Sequence, residues 1–134
     1  MLDILSLVRS LAFAVIYGGI EYRYVNRREA GSSPGSYEFF EKPILGAFAP
    51  YHVFLLFPLF ITSAFALPLT AWAGNFFLLV VGEDMAYFGW RQSPVMKGEW
   101  TTRFIGSFRV GGMAVPAWWP LAVVFVALLY LAPF

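Results

Sequence analysis

The chain has 134 residues, of which 60% are hydrophobic, 20% aromatic and 13% charged, whereas soluble domains are about 45–50% apolar and about 25% charged. A soluble fold of this length leaves too much surface exposed to bury so many aromatic side chains. The absence of cysteine excludes disulfide scaffolds, thiolate metal sites and iron–sulfur clusters, and a net charge of +1 gives no reason to expect a nucleic-acid partner. The composition predicts an all-α integral membrane protein with a single domain, residues 1–134.

The first predicted span covers residues 3–24. Asp3 precedes its apolar stretch and Arg9 lies within it, whereas a secretory signal has its positive charge first and a small-residue cleavage site afterwards. We therefore expect a retained transmembrane helix. Its Arg9 would reach the nearer interface or pair inside the bundle.

Loop 21–43 follows this span. Its sequence predicts a helical extension through Ala30 that ends at Gly31, followed by a turn at residues 32–35. Residues 37–42 mix aromatic and charged side chains, which predicts a short interfacial segment leading into the next span.

The second and third spans lie in a long charge-free run. Residues 43–82 contain no charged residue, a run of 40, and one span needs only about 20. Two helices joined by a tight turn fit this length, with the break at Pro68, which opposes helix continuation. We expect spans at 48–68 and 71–91, and a fourth at 116–131 that begins at a proline. The four helices form an up-down bundle.

Loop 91–115 contains apolar residues that alternate with Arg103, Ser107 and Arg109. This alternation predicts a short strand or an extended segment at the lipid headgroups. Arg103 and Arg109 are candidate ligands for lipid phosphate; alternatively, these charges only set the membrane topology.

The basic residues also predict an orientation. Eight of the nine lie in loops 21–43 and 91–115, and none lies in the turn between the second and third spans. The positive-inside rule makes both loops cytoplasmic and both termini extracytoplasmic. The predicted location is the cell membrane, crossed several times.

Two adjacent acids, Glu83 and Asp84, lie inside the third span, where one ionised carboxylate costs roughly 2.5–3.5 kcal/mol. Glu83, Tyr87 and Trp90 share one helix face, and Asp84 points about 100° away, toward the face of Arg91. We expect Glu83 to face a ligand in a pocket walled by Tyr87 and Trp90. Asp84 would be more structural, directed at Arg9 or a neighbouring helix.

The single histidine lies at a similar depth. Counted from the turn near residue 69, His52 is about 25 Å down and the acid pair about 20–22 Å, and Glu21 falls near the same level. Glu83, Asp84, His52, Tyr87 and Glu21 are therefore the predicted ligand- or ion-binding residues. A divalent metal at Glu83, Asp84 and His52 is one possible occupant, and a proton or a cationic or hydroxylated ligand is another. Alternatively, the acids only lock the packing and His52 is an interfacial residue.

These residues leave three functions open. The first is a channel, carrier or metal-binding component that binds a cation, proton or polar ligand at the acidic cluster. The second is a membrane enzyme acting on a lipid or isoprenoid, and the third is an accessory subunit of a larger complex. A di-iron carboxylate site is excluded, because it needs two Glu-x-x-His repeats. A homo-oligomer is expected, since four short helices would not cover two acids on different faces of one span.

The size and the four-span layout resemble those of the small membrane glutathione-transferase-like proteins, which are four-helix membrane enzymes. In that family an Arg- and Asn-rich pattern surrounds the second span, and residues 50–54 (Pro-Tyr-His-Val-Phe) do not have it. The resemblance therefore implies a layout for the fold and no role for any individual residue.

Overall fold

The structure is a computed structural model that describes residues 3–25, 42, 44–46 and 48–131. Helix α1 (Ile4–Ile20) continues as a π-helical turn (Glu21–Val25). Helix α2 consists of a π-helical turn (His52–Leu56) followed by an α-helix (Phe57–Ser63). Then come helix α3 (Leu69–Arg91), the short helix α4 (Trp100–Arg103), strands β1 (Ser107–Val110) and β2 (Met113–Pro116), and helix α5 (Trp118–Leu131). The protein is mostly helical, as predicted.

Four of these helices occupy the four predicted segments. The break at Pro68 is confirmed, because α3 begins at the next residue, Leu69. Helix α2 is shorter than the predicted 48–68 and ends at Ser63, four residues before Leu67. The features predicted for residues 26–41 lie outside the described residues.

The helices differ in whether their length and hydropathy suffice to cross a membrane. Among the described residues, only Ile4–Arg23 is both long and apolar enough to cross a membrane, whereas His52–Ser63 and Trp118–Leu131 are apolar but only 10–17 residues long. Helix α3 has 23 residues but contains Asn75, Glu83 and Asp84. A core helix of a soluble protein and a signal sequence meet the same criterion as Ile4–Arg23, so four spans are not established by this finding.

Helix α3 is the centre of the bundle and packs most extensively against α1 and α5, with a smaller contact to α2. The contact with α1 is made through small residues. A Cβ atom on Gly18 would lie 2.8 Å from the carbonyl oxygen of Glu83, and one on Gly82 would lie 3.2 Å from the Cβ of Ala14. The two backbones can approach this closely only because side chains are missing there.

A buried amide joins the helices at the other end of α3. Asn75 is fully buried, and its Nδ2 donates to Ser6 Oγ at 3.0 Å and to the carbonyl of Ala64 at 3.2 Å. The Tyr130 hydroxyl donates to its Oδ1. Sequence analysis overlooked Asn75, although a single amide within an apolar helix is a recognisable signal of helix–helix bonding.

Indole N–H groups make four further links. In each case the acceptor lies in a different segment of the chain: Trp72 donates to the Ile61 carbonyl, Trp90 to the Val15 carbonyl, Trp118 to Thr101 Oγ1 and Trp119 to Asp84 Oδ2. Directional bonds therefore connect α3 to α1 and α2, and α5 to α3 and α4.

The side chain of Arg9 is also accounted for. Its Nη2 donates to the carbonyl of Phe65 in the connection between α2 and α3. Arg9 and Phe65 are both exposed, so the predicted pairing inside the bundle is not found, and the arginine is bonded at the surface of the chain, near the connection between α2 and α3.

Strands β1 and β2 form an antiparallel hairpin, with Arg109 opposite Ala114. The predicted short strand is confirmed, and Gly111 and Gly112 form the turn with φ of 55° and 86°. Two glycines between strand-like runs are a hairpin signal that sequence analysis missed. Arg103 and Arg109 are both exposed, and Arg103 Nε donates to the Gly98 carbonyl at 2.5 Å.

Candidate ligand-binding cavity

Four of the predicted polar side chains line one small cavity of about 30 Å³, here called the acid cavity: Glu21, His52, Glu83 and Asp84. Its other walls are apolar: Phe48, Leu56, Phe57, Phe60 and Val80. The predicted proximity of these four residues is therefore found in the structure. A cavity of this size accommodates about one water-sized group.

Two of the four residues begin π-helical turns. Glu21 is the first residue of the turn that continues α1, and His52 is the first residue of the turn that opens α2. Such turns are rare and occur frequently at functional sites. They place residues from two helices opposite Glu83 on the third.

Glu21 connects the cavity to its surroundings. The Tyr51 hydroxyl donates to Glu21 Oε1 at 2.5 Å, and the ring of Tyr51 is 2% exposed. Glu83 lines the same cavity of about 30 Å³, so two carboxyl groups border one small space. Their negative charges, where ionised, repel each other and attract a cation.

Glu83 lines the cavity and has a carboxyl oxygen that accepts no hydrogen bond from the described residues. The residue is 5% exposed, and its Oε1 is buried without a hydrogen-bond partner among the described residues. A buried carboxyl oxygen left without a donor is costly. The geometry therefore presents an acceptor to whatever enters the cavity.

Asp84 is bound from its other side. Its Oδ2 accepts from Thr101 Oγ1 at 2.6 Å and from Trp119 Nε1 at 2.7 Å. The prediction that Asp84 has the more structural role agrees with these bonds. Of the two predicted partners, Arg9 and a neighbouring helix, the second is the one found, because Trp119 belongs to α5 and Arg9 bonds to Phe65 instead.

His52 is oriented by the backbone before it. The N–H of Ala49 donates to its Nδ1 at 3.1 Å, so a neutral ring carries its proton on Nε2. The ring lies 4.1 Å from that of Tyr51 and 5.8 Å from that of Phe48. His52 therefore presents a donor nitrogen on the side away from Ala49.

The predicted aromatic walls are wrong. Tyr87 and Trp90 do not line the acid cavity. The ring of Tyr87 packs 6.0 Å from that of Tyr22, and Trp90 bonds to Val15 on α1. Gly18 of α1 lies against the α3 backbone between Glu83 and Tyr87, so α1 covers the helix face beyond Glu83.

The predicted metal site at Glu83, Asp84 and His52 has no geometric support. Within the part of the chain that the structure describes, no three or more histidine, aspartate or glutamate side chains are arranged to hold a metal ion. Asp84 uses its Oδ2 to accept from Thr101 and Trp119.

The argument that predicted a second protomer also fails. Glu83 and Asp84 are 5% and 3% exposed in the single chain, so its own helices cover both acids. Association of the protein stays a prediction without this support.

An ion pair holds the segment that carries Thr101. Arg91, the last residue of α3, contacts Glu99 at 2.8 Å, and the N–H of Met96 donates to Glu99 Oε1 at 2.9 Å. Burial alone would raise the pKa of Glu99, but the hydrogen bonds from Arg91 and Met96 and the arginine charge lower it below its ordinary value of 4.5.

A second, larger depression adjoins the acid cavity. This aromatic groove has a volume of about 320 Å³ and is lined by Phe48, Phe57, Phe76, Phe77, Val80, Phe104, Trp118 and Ala122. Phe48, Phe57 and Val80 line both spaces. The groove and the acid cavity are therefore neighbours with a common wall.

Comparison with known proteins adds no assignment: no family model matches the chain, and no curated protein or solved structure is detectably similar to it.

Proposed function

We propose that the protein is an integral membrane protein that binds a small cationic, hydrogen-bond-donating group in the acid cavity. The membrane part of the proposal is supported by the polarity of α1. Its buried face consists of small or polar residues, namely Ser6, Ser10, Ala14, Tyr17 and Gly18. Its exposed face carries Leu5, Val8 and Ile16, which are 80%, 55% and 62% exposed. A helix on the surface of a soluble protein has the opposite arrangement.

The last helix and the hairpin also expose apolar side chains. On α5, Leu121, Val124 and Leu128 are 58–61% exposed, and the hairpin presents Phe108 and Met113 beside exposed arginines. An apolar surface this continuous marks contact with lipid or a partner. We place the hairpin at the headgroups, with Arg103 and Arg109 beside lipid phosphates.

The proposed topology retains four spans with both termini outside. Helix α5 has 14 residues, or about 21 Å of rise, which is short for a core of about 30 Å and requires local thinning of the bilayer.

Single cysteines at Ser33 and Lys97 test this topology in the otherwise cysteine-free chain. We expect an impermeant thiol reagent to label both only from the cytoplasmic side, whereas labelling of either from outside would overturn the orientation.

The ligand part of the proposal is carried by one residue: Glu83 lines the cavity, and its buried Oε1 has no hydrogen-bond partner among the described residues. Glu21 adds a second carboxyl group, and among the described residues no lysine or arginine side chain lines the cavity. A cation with N–H donors satisfies both the charge and the free acceptor. The aromatic walls formed by Phe48, Phe57 and Phe60 are also favourable neighbours for a cation.

Infrared difference spectroscopy on reconstituted protein tests this binding, with butylammonium as the probe. We expect its addition to change the carboxyl bands of the parent protein. In Glu83→Gln the change should disappear, or its half-saturation should move at least about tenfold higher, because a charge-assisted bond is lost.

Glu99→Gln is the matched control, since it removes a carboxylate outside the cavity and should keep the response. The proposal would be overturned if butylammonium left the carboxyl bands of the parent unchanged, or if it changed them in Glu83→Gln as it does in the parent. The first of these results is what a cavity filled only by water would give.

A further inference from the structure

The acid cavity and the aromatic groove lie next to each other and differ in chemical character, since Phe48, Phe57 and Val80 line both. Phe48 contacts residues of each: its ring lies 5.8 Å from that of His52 in the cavity, and 5.1 Å and 6.2 Å from those of Phe57 and Phe104 in the groove. A molecule that reached from one space into the other would pass these shared residues.

Within the part of the chain that the structure describes, the groove offers no free polar partner. Its lining is apolar except for Trp118, and the indole N–H of Trp118 already donates to Thr101 at 2.9 Å. Its volume of about 320 Å³ is within the range of small-molecule sites, roughly 300–1,000 Å³. Phe77 and Phe104, at 38% and 52% exposed, leave it open at the surface. An aliphatic chain suits this lining, and a polar or charged one does not.

The cavity selects the head of such a molecule. It accommodates about one water-sized group, and its free acceptor is the Oε1 of a glutamate that is more than nine-tenths buried. A primary ammonium group is small, positively charged and carries three N–H donors. A trimethylammonium group has the same charge but is larger and has no N–H donor.

We infer that the ligand is a single-chain primary alkylamine, with its ammonium group at Glu83 in the acid cavity and its aliphatic chain in the aromatic groove. This inference rests on the proposed cation site and adds the second half of the molecule. The position of the chain is the new element. Between lipid tails and the groove there is little difference in hydrophobicity, so the groove acts through packing.

The experiment uses dodecylammonium as the probe in the same infrared titration of Glu83 in phosphatidylcholine bilayers. Ala122→Phe fills the groove, where Ala122 forms part of the wall. Ala127→Phe, on the exposed surface of the same helix, is the matched control. Comparison of variants in the same bilayer cancels the partitioning of the amine into lipid.

We expect Ala122→Phe to raise the half-saturation for dodecylammonium about tenfold through overpacking. Ala127→Phe should leave it unchanged, and neither variant should affect butylammonium. Dodecyltrimethylammonium should bind to the parent at least about tenfold more weakly than dodecylammonium, because it lacks N–H donors.

The failures are distinguishable. If butylammonium binds through Glu83 but dodecylammonium is insensitive to Ala122→Phe, the groove assignment is wrong while the cation site stands. If butylammonium does not bind, the proposed function itself is wrong. If Ala122→Phe instead dissociates an oligomer, the groove is an interface between copies of the chain, and the inference is overturned.

Discussion

On one side of α3, Asp84 accepts hydrogen bonds from Thr101 and Trp119; on the other side, Glu83 has a buried oxygen with no partner among the described residues. The two acids are adjacent in sequence and equally buried, at 3% and 5% exposed. The difference lies in what the neighbouring segments offer. On the Asp84 side they supply donors, and on the Glu83 side α1 supplies another carboxyl group, that of Glu21. Burial of an acid therefore does not by itself distinguish a structural residue from a binding residue, whereas the count of its donors does.

The largest effect on the difference between the two acids is expected from Asp84→Ala. The change leaves the Thr101 hydroxyl and the Trp119 indole without their acceptor inside the bundle, which should lower the free energy of unfolding by about 3 kcal/mol. Equilibrium unfolding in mixed micelles measures this loss. Glu83→Gln, which keeps the shape of the side chain, should unfold within about 1 kcal/mol of the parent. Equal losses for the two variants would contradict the division of roles.

A second substitution, Gly18→Ala, tests the Glu83 side by changing how closely the backbones of α1 and α3 approach. A Cβ at Gly18 would lie 2.8 Å from the Glu83 carbonyl oxygen and 2.8 Å from the Tyr87 nitrogen, so Gly18→Ala should force α1 away from α3. We expect the free energy of unfolding to fall by about 2 kcal/mol, and the response to butylammonium to weaken because Glu21 moves with α1.

Gly89→Ala is the control for Gly18→Ala. A Cβ there has nothing within 4 Å, so the variant should be as stable as the parent or slightly more stable, through better helix propensity. If both glycine variants behave alike, close helix approach does not position Glu83.

The smallest effect concerns the ion pair that supports the Asp84 side. Because the pKa of Glu99 is lowered in the folded protein, its charge stabilises the fold at pH values above its ordinary pKa of 4.5 and ceases to do so as the pH falls through the folded value. Glu99→Gln should therefore lower stability by about 1 kcal/mol at pH 7, and the difference from the parent should disappear as the pH falls from the ordinary pKa of 4.5 through the lower folded value. Melting curves recorded over this pH range check this, and a pH-independent difference would show that the charge is not responsible.

Much of the helical layout is readable from the sequence, because charge-free runs and a proline are local signals. The 40-residue run and Pro68 located α2 and α3. Counting the rise per residue also placed His52, Glu83 and Glu21 at one depth, and the structure brings them to one cavity. Such arithmetic succeeds where antiparallel helices share a short connection.

The partners of Asp84 were not accessible to the same reasoning. Thr101 and Trp119 lie 17 and 35 positions away, and the alternation that predicts the strand in the intervening loop does not say how the loop folds back onto α3. Tyr87 and Trp90 share a helix face with Glu83, yet neither lines the cavity, because α1 packs across that face. Tertiary packing overrides helical periodicity in both cases. Asn75 and the Gly111–Gly112 turn are different, since their signals were present and local.

The indole groups that join the helices make the cohesion of the bundle depend on the hydrogen-bonding character of its surroundings. Lipid tails and alkyl detergent chains offer neither donors nor acceptors, so they cannot replace the carbonyl of Ile61 or Val15 as partners of Trp72 and Trp90. Fluorinated and short-chain alcohols can, and they also favour isolated helices. The protein should therefore tolerate a wide choice of alkyl chain length during purification, yet come apart into separate, still helical segments at modest alcohol concentrations.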